Sequence, residues 1–319
     1  MAPCPLYIWA GPMLKYIARR FILSFPMLLG LTIIVFSMMH LLPGDPAEVI
    51  LAQSGARPEA VARLRSQLGL DQPLPVQYGR FLGGLLQGNL GSSLFTNRPV
   101  SEIVAQNLPS TMELAGAAML LAILLGTSLG ILAAVHQGSW IDHLTMTLAV
   151  LSLAMPGFWL ALLLIYVFSL YLGWLPSGGQ GTWQQLVLPA SVLGANSAAT
   201  IARLVRSSLL DVLQQEYIVT ARAKGLKERL VLLRHALKNA LVPVITVIGL
   251  QFGFLLGGTV VMETVFARQG LGRVAVDAIL YKDLPVVQGI VLLVAVIYLV
   301  VNLLVDISYA FLDPRIRVQ

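Results

Sequence analysis

The chain has 319 residues, of which 57% are hydrophobic and only 11% are charged. Soluble domains carry roughly 25% charged residues, so this composition excludes an ordinary soluble domain and indicates an integral membrane protein. The net charge is +6, and eight basic residues lie between Arg203 and Lys238, which favours membrane topology over a nucleic-acid partner. Cys4 is the only cysteine, which excludes an internal disulfide framework and a cysteine metal site.

The first predicted element is the apolar run from Phe21 to Leu42, which is long enough to span a bilayer. Lys15, Arg19 and Arg20 precede it, so the positive-inside rule predicts a cytoplasmic N-terminus. Residues 1–12 fit poorly with the rest of the chain. We interpret them as either an upstream start or a short disordered lead.

The segment 43–107 is polar and carries five basic and five acidic residues. We predict short helices from Ala60 to Leu68 and from Val76 to Leu86. The segment is too long for its arginines to determine orientation. We interpret it as an external subdomain, which forms one region, 13–107, together with the first span.

The second and third spans are predicted at 110–135 and 144–172, joined by a short cytoplasmic loop at 136–143. The spacing Ser110-x-x-Glu113 predicts a capping box at the start of the second span. Glu113 is alternatively a buried functional acid. Pro156, followed by a glycine, is expected to kink the third span because proline removes a backbone hydrogen bond.

The last three spans are predicted at 185–206, 241–262 and 286–311, with residues 263–285 external and 313–319 a cytoplasmic tail. Small and polar side chains fill the fourth span, which suits close packing or a water-lined surface. The fifth carries a double GxxxG stripe of Gly249, Gly253 and Gly257, which indicates packing within one subunit or at a subunit interface. Asp306, in the last span, is either a functional acid or a structural hydrogen-bond partner.

A basic polar segment, 207–240, separates the fourth and fifth spans. Helical spacing of Leu210, Leu213 and Tyr217 predicts an amphipathic helix in its first half. Gly225 follows two cations, the order expected at a helix end with a left-handed glycine cap. A second helix is predicted to place the leucines of its second half on one face: Leu226, Leu230, Leu233 and Leu237. A simpler reading is a basic loop that only fixes topology.

Two stretches of this segment, TARAKGL at 220–226 and RHALKNALVPVIT at 234–246, resemble the cytoplasmic coupling loop of ABC importer permeases of the dipeptide, oligopeptide and nickel branch. PGDP at 43–46, LGLDQPLPVQY at 68–78, GNLGSS at 88–93 and ETVFARQGLGR at 263–273 resemble the same branch. The wider superfamily has Glu-Ala-Ala ahead of the glycine. This chain has Val219-Thr220-Ala221 there, which puts the role of Glu216 in doubt.

The resemblance implies an all-α type I importer permease with six transmembrane helices, whose core domain is 108–312. It also implies an external substrate-binding protein, a second homologous permease and two cytoplasmic ATPases as partners, with membrane lipid around the spans. The chain lacks a G-x-x-x-x-G-K-[ST] loop, so ATP and Mg are expected on the partner ATPases, with no cofactor in this chain and no enzymatic activity. The residues expected to couple to the ATPases are Asp211, Glu216, Ala221, Arg222, Lys224, Gly225, Leu226, Arg234 and His235.

The substrate is not fixed by the residues themselves. We favour di- and oligopeptides as the substrates, with nickel chelates, glutathione and oligosaccharides as alternatives. A secondary transporter and an intramembrane enzyme are further alternatives. The first would show inverted repeats and buried charges, and the second paired catalytic residues at membrane depth. The expected location is the bacterial inner membrane, with both termini cytoplasmic.

Overall fold

The computed structural model describes residues 10–41, 58–68 and 71–312. These residues are almost entirely helical, and among them the only β-type pairing is an isolated bridge between Ser92 and Pro99. The side chain of Asp306 lies outside the described residues, as do residues 1–9 of the predicted lead, so both interpretations stay predictions. Residues 10–12 of that lead are helical.

Thirteen α-helices and two π-helical segments make up the described chain. In order they are α1 Ala10–Leu41, α2 Pro58–Leu68, α3 Leu74–Leu86, α4 Val100–Val135, α5 Trp140–Ala154, α6 Gly157–Leu164, π1 Ile165–Tyr171, α7 Gln184–Leu213, α8 Glu216–Ala223, α9 Glu228–Leu230, π2 Val231–Ala236, α10 Leu237–Ala240, α11 Val242–Val265, α12 Leu271–Leu280 and α13 Leu284–Leu312. The two predicted short helices of the 43–107 segment are therefore present as α2 and α3.

Helices long and apolar enough to cross a membrane correspond to four of the six predicted spans. They are α4, α7, α11 and the described part of α13. The α5 and α6–π1 pair also passes this test when its two parts are taken together. In α1 the described apolar stretch, Ile22–Met38, is shorter. The count of six spans and the external position of 43–107 stay predictions.

The third predicted span is broken rather than kinked. Its two halves are bent by 108° at Met155–Pro156. Pro156 has extended backbone angles and precedes α6, because a proline ring lacks the N–H that would continue α5 and restricts the residue before it. Pro156 therefore interrupts the helix, as predicted. The bend of 108° is larger than the kink that we expected within one continuous span.

The predicted capping box at Ser110 is wrong. Helix α4 begins ten residues earlier, at Val100, and carries Pro109 inside it. Ser110 and Glu113 are therefore interior residues. The Ser110 hydroxyl donates to Gln180 (3.3 Å), and Glu113 accepts a hydrogen bond from Arg268. The spacing matched a capping motif by chance because the true helix start is marked only by Pro99 and Val100.

The chain forms two compact units. The first, called the core unit, comprises 110–269 with 10–18 and 300–312; the second comprises the rest of the described residues. In the second unit, Val100, Leu271 and Ile290 belong to one buried cluster. The Asp283 carboxylate is also buried there and accepts hydrogen bonds from the Ser93 hydroxyl and the Leu94 N–H.

Helix α7 is the centre of the core unit, with 13 of its 30 residues buried. It packs against α5, α6, α10 and α11 and against α4. Contact with α4 is close enough that a Cβ atom on Gly126 or Gly130 would lie 2.7 or 2.6 Å from a carbonyl oxygen of α7. Gly194 of α7 lies equally close to the Ala118 carbonyl. These glycines therefore let two backbones meet.

The predicted stripe on α11 behaves differently. A Cβ on Gly249 would collide with Val305, whereas one on Gly257 would meet nothing within 4 Å. Gly257 is also exposed. Gly249 thus packs within this subunit, and Gly257 does not. The role of Gly253 stays a prediction, and the functional GxxxG motif that we did not identify in the sequence is Gly126-x-x-x-Gly130.

We expect Gly130→Ala to destabilise the protein, because the new methyl group would force α4 away from α7. Overpacking of this kind costs about 1–3 kcal/mol. Gly116→Ala is the matched control, since it lies on the same helix with open space around it and should leave stability unchanged or slightly raised. Thermal unfolding of the purified protein in detergent provides the measurement. Equal unfolding temperatures for the two variants would contradict the packing argument.

Candidate functional site

A cleft of about 500 Å³ opens between helices of the core unit. It is lined by residues of α5, α6, α7 and α11, and most of its wall is apolar, including Phe158, Leu193, Phe254 and Met262. Four neutral polar side chains interrupt this wall: Asn196, Ser197, Thr200 and Gln251. The cleft is therefore a mixed surface in the middle of otherwise hydrophobic helices.

Polar residues of α7 make internal hydrogen bonds that fix their positions in the cleft. The Ser152 hydroxyl donates to the Asn196 side-chain oxygen (3.3 Å). Thr200 donates to the backbone carbonyl of Asn196 (3.0 Å). Ser197 is almost fully buried. The prediction that polar residues of the fourth span line a water-accessible surface is consistent with this arrangement.

A second polar cluster lies in the core unit, where α4 meets the end of α11, and its members Glu263 and Arg268 are buried, whereas the Glu113 side chain is 57% exposed. Glu263 is fully buried and accepts a hydrogen bond from the Thr111 hydroxyl (2.6 Å). Arg268, which is 1% exposed, donates to the Glu113 carboxylate (3.0 Å). Buried charges are costly unless they are paired, so these contacts tie α4 to the segment after α11. Glu113 is thus the ion-pair partner of Arg268, and both the capping role and the alternative of a buried acid are wrong.

The turn at Gly225 has the geometry that the sequence predicted. Gly225 has φ +77°, in the left-handed region that favours glycine. Its N–H donates to the Arg222 carbonyl, and the Leu226 N–H donates to the Ala221 carbonyl. This pair of hydrogen bonds is the Schellman motif that ends many helices.

An ion pair closes the same turn. The Arg222 guanidinium donates to both carboxylate oxygens of Glu228, at 3.1 and 2.6 Å. This hydrogen bonding holds the pKa of the Glu228 carboxyl below its usual range and raises the pKa of Arg222. A planar guanidinium bound at two points restricts both side chains. The pair therefore links the end of α8 to the start of α9 across Gly225.

The predicted amphipathic helix in the first half of this segment is interrupted: Leu210 and Leu213 pack against a buried cluster, but Tyr217 lies on a separate helix. Ser207–Leu213 belongs to the end of α7, and a new helix starts only at Glu216. The buried residues are Leu209, Ile218 and Ala221, whereas Tyr217 is 42% exposed. A break after α7 changes the direction of the chain, so a pattern counted through it selects the wrong face.

The second half of the segment departs from helical spacing for another reason. Residues Val231–Ala236 form the π-helix π2, in which each turn holds an additional residue. Val231, Ala236 and Ala240 are buried as a result. Leu230 and Leu233, which we predicted on one face with Leu226 and Leu237, are 41% and 50% exposed. Exposed leucines are thus available on this surface.

Most of the proposed coupling residues lie on the surface of one continuous segment, which we call the coupling segment (214–240). Ala221 is buried, and Leu226 and His235 are half-buried. The exposed members are Asp211, Glu216, Arg222, Lys224, Gly225 and Arg234. Asp211 lies on α7, just before the segment. A further contact, from the Asn239 amide to the Tyr217 hydroxyl (2.8 Å), connects α8 with α10.

Sequence reasoning missed three residues that hold this region together. Asp142 is buried and binds Arg206 through two hydrogen bonds, of 2.6 and 2.7 Å, and also accepts from the Gly138 N–H (3.0 Å). This pair fixes the loop before α5 to the last turns of α7. Glu228, the partner of Arg222, was the third. Opposite charges 64 residues apart give no periodic signal, so only the fold brings them together.

These features define a multi-pass helical membrane protein with a polar cleft and a surface segment held by an ion pair and hydrogen bonds, as expected of a transport permease. Residues 126–318 match the family described as binding-protein-dependent transport system inner membrane component. Residues 13–115 match the N-terminal region of such components. The chain belongs to this family, and it is a permease subunit of an ABC importer located in the inner membrane.

Relatives with assigned names are permeases of the same kind. The glutathione transport system permease protein GsiC of Salmonella paratyphi A is 48% identical over 96% of this chain and 99% of its own length. The dipeptide transport system permease protein DppB of Alkalihalophilus pseudofirmus is 44% identical over 96% of this chain and 100% of its own. These names identify transport subunits rather than enzymes.

Solved structures share the fold at lower identity. The MetNI methionine ABC transporter in an inward-facing conformation has a TM-score of 0.57 and is 18% identical, over 66% of this chain and 96% of that chain. An amino acid ABC transporter with histidines has a TM-score of 0.51 over 67% of this chain and 94% of that chain. The predicted type I importer permease fold is thereby confirmed.

We expect Thr111→Val to destabilise the core unit, because it removes one donor from the fully buried Glu263 carboxylate while preserving side-chain shape. Loss of a hydrogen bond to a buried polar group costs about 1–3 kcal/mol. Thr264→Val is the control, since the exposed Thr264 hydroxyl donates to the carbonyl of Val260 in its own helix. A fluorescence melt in detergent compares them. An unchanged melting temperature for Thr111→Val would show that the bond contributes little.

The Arg222–Glu228 pair should make the Gly225 turn sensitive to pH. Because the folded-state pKa of Glu228 is lowered, the stabilisation is complete above the ordinary glutamate pKa of about 4.3 and is lost as pH falls through the lowered value. Glu228→Gln should loosen the turn at neutral pH, as seen by the mobility of a spin label on Lys227→Cys in a Cys4→Ser background. Glu216→Gln is the control, because the Glu216 carboxylate forms no hydrogen bond or ion pair to the described residues. Equal mobility in the parent and Glu228→Gln at neutral pH would contradict this role.

Proposed function

We propose that this permease subunit carries di- and oligopeptides, including glutathione, across the inner membrane through the cleft between α5, α6, α7 and α11. The observation that carries the substrate class is the near-complete match to two permeases named for glutathione and dipeptide transport, each over 96% of this chain. The cleft supports it, because neutral carboxamide and hydroxyl groups suit a cargo that offers hydrogen-bonding amides.

We place a second homologous permease, two cytoplasmic ATPases and an external substrate-binding protein around this subunit. The binding protein delivers the cargo, and ATP and Mg bind to the ATPases. Both termini and the coupling segment lie on the cytoplasmic side. This orientation follows the positive-inside rule, since Arg222, Lys224, Arg234 and Lys238 cluster in the coupling segment.

The coupling segment is the part of this subunit that contacts the ATPases. Leu230 and Leu233 present exposed apolar groups there, and the exposed cations around Gly225 suit acidic or carbonyl groups on a partner. Leu209 of α7 packs in one buried cluster with Ile218 and Val231 of the segment. Movement of the segment is therefore transmitted to the helices that line the cleft, which gives alternating access biased by ATP.

The direct test is uptake by the assembled complex. The subunit would be purified with its permease, ATPases and binding protein, placed in proteoliposomes and supplied with labelled L-alanyl-L-alanine or glutathione. ATP-dependent accumulation of either peptide is the expected result. An assembled complex that hydrolyses ATP with its binding protein but accumulates neither peptide would reject this substrate class and favour a nickel chelate or oligosaccharide.

Gly225→Val should uncouple ATP hydrolysis from uptake or weaken ATPase retention. The positive φ of Gly225 costs a side-chain-bearing residue about 1 kcal/mol or more, and the added side chain would also project at the contact. Gly173→Val is the matched control, because Gly173 has a similar φ of +65° and equally open surroundings. It follows π1 and lies outside the coupling segment.

Both variants should insert into the membrane. Peptide uptake per ATP hydrolysed and the ATPase-to-permease ratio should fall only in Gly225→Val. A Gly225→Val complex that keeps its ATPases and couples like the parent would remove Gly225 from the contact, whereas equal losses in both variants would assign the effect to backbone strain alone.

A further inference from the structure

Two carboxamide side chains face the cleft from the middle of two different helices. Asn196 is the thirteenth residue of α7, and Gln251 is the tenth residue of α11. We infer that they form a peptide-backbone subsite, in which this permease itself binds the amide group of a cargo in transit. The inference rests on the proposed function and adds a selectivity step within the membrane to the selection made by the external binding protein.

The free-energy cost of leaving these side chains without hydrogen bonds supports the subsite. A polar group in the middle of a membrane-spanning helix is costly unless it is hydrogen-bonded. Within the described residues, the Gln251 carboxamide has no hydrogen-bond partner although it is half-buried. Asn196 uses its oxygen to accept from Ser152, and its NH₂ group has no partner among the same residues. Both therefore hold free hydrogen-bonding capacity in the cleft.

That free capacity is complementary to a peptide bond. Each peptide unit offers one N–H donor and one C=O acceptor. The Asn196 NH₂ group, which has no partner among the described residues, can donate to a peptide carbonyl. Gln251 can accept from the peptide N–H through its oxygen. A pair of carboxamides on two walls of one cleft thus offers a donor for the C=O and an acceptor for the N–H of an amide.

The remaining wall accounts for a cargo of variable side chains. Phe158, Leu193, Phe254 and Met262 are apolar, and methionine adapts readily to irregular shapes. No charged side chain is among the residues that line the cleft, so nothing there selects for a charged peptide side chain. A cleft of about 500 Å³ lies within the range of small-molecule sites, roughly 300–1,000 Å³. The subsite would bind the backbone amide group, which all peptides share.

A different role for Gln251 makes a different prediction. If its carboxamide instead pairs with the second permease, its loss should weaken the complex. The experiment therefore measures assembly and transport together. The full complex in proteoliposomes receives binding protein saturated with L-alanyl-L-alanine, so that delivery is not limiting.

Gln251→Leu should lower peptide uptake per ATP hydrolysed by roughly three- to tenfold, the effect of one lost hydrogen bond. ATP hydrolysis stimulated by the binding protein and the ratio of the two permeases should stay at parental values. Gln251→Asn should restore part of the uptake, because it keeps the carboxamide. Gln106→Leu is the control, since it removes an exposed carboxamide of α4 that bonds to Arg98 and lies outside the cleft.

Each outcome decides between the hypotheses. Parental uptake per ATP in Gln251→Leu would overturn the subsite, and loss of the second permease from that variant would assign Gln251 to the subunit interface and overturn it as well. Failure of the parent complex itself to accumulate the dipeptide would reject the proposed function before any variant is compared. A specific loss in Gln251→Leu with partial recovery in Gln251→Asn supports the subsite.

Discussion

Backbone-to-backbone packing of α4 against α7 is the constraint on which the core unit depends. Gly126 and Gly130 allow the carbonyl oxygens of α7 to approach within a distance that any side chain would block. In a membrane, where apolar surfaces gain little from leaving lipid, such small residues supply the van der Waals contact that holds helices together. With α7 fixed in this way, α5, α6 and α11 pack around its other faces and leave the cleft between them.

Polar contacts to the buried Asp142, Glu263 and Arg268 connect the helices near their ends. Asp142 and Arg206 fix the loop before α5 at one end of α7, and the Thr111–Glu263 and Glu113–Arg268 contacts connect α4 to the end of α11. Each contact joins residues distant in sequence and satisfies a group that would be costly to bury alone. The cleft therefore lies between two polar anchoring points, in a region whose own polar side chains are neutral.

Local signals in the sequence predicted the elements well. Long apolar runs gave α4, α7, α11 and α13, Pro156 gave the break after α5, and the order of cations before Gly225 gave its left-handed cap. Each of these depends on a residue's own conformational preference or on its immediate neighbours. The motifs at 220–226 and 234–246 also led correctly to the importer family. The start of α4 was missed because an interior spacing at Ser110 and Glu113 imitates a cap.

The buried face of each helix and the partners of its charged side chains were not predictable from local signals. Counting by 3.6 residues placed Leu226, Leu230, Leu233 and Leu237 on one face, but the π-helix Val231–Ala236 contains Leu233 and changes the register between Leu230 and Leu237. Arg206 and Glu228 looked like part of a general basic or mixed-charge surface, since their partners are defined by the fold. The cleft combines residues of four helices, and no single stretch of sequence contains enough of it to indicate a site. Periodicity describes one helix at a time, whereas a site is a property of several.

The π-helix π2 has a consequence for how the coupling segment evolves and can be engineered. An α-helix turns by about 100° per residue, so removing one residue from Val231–Ala236 would restore regular winding and rotate everything before it relative to α10 and α11. The direction in which Leu230, Arg229 and the Gly225 turn face is therefore encoded by segment length as well as by side-chain chemistry. Two permeases with identical residues in this segment but one residue of difference in π2 would present those residues in different directions.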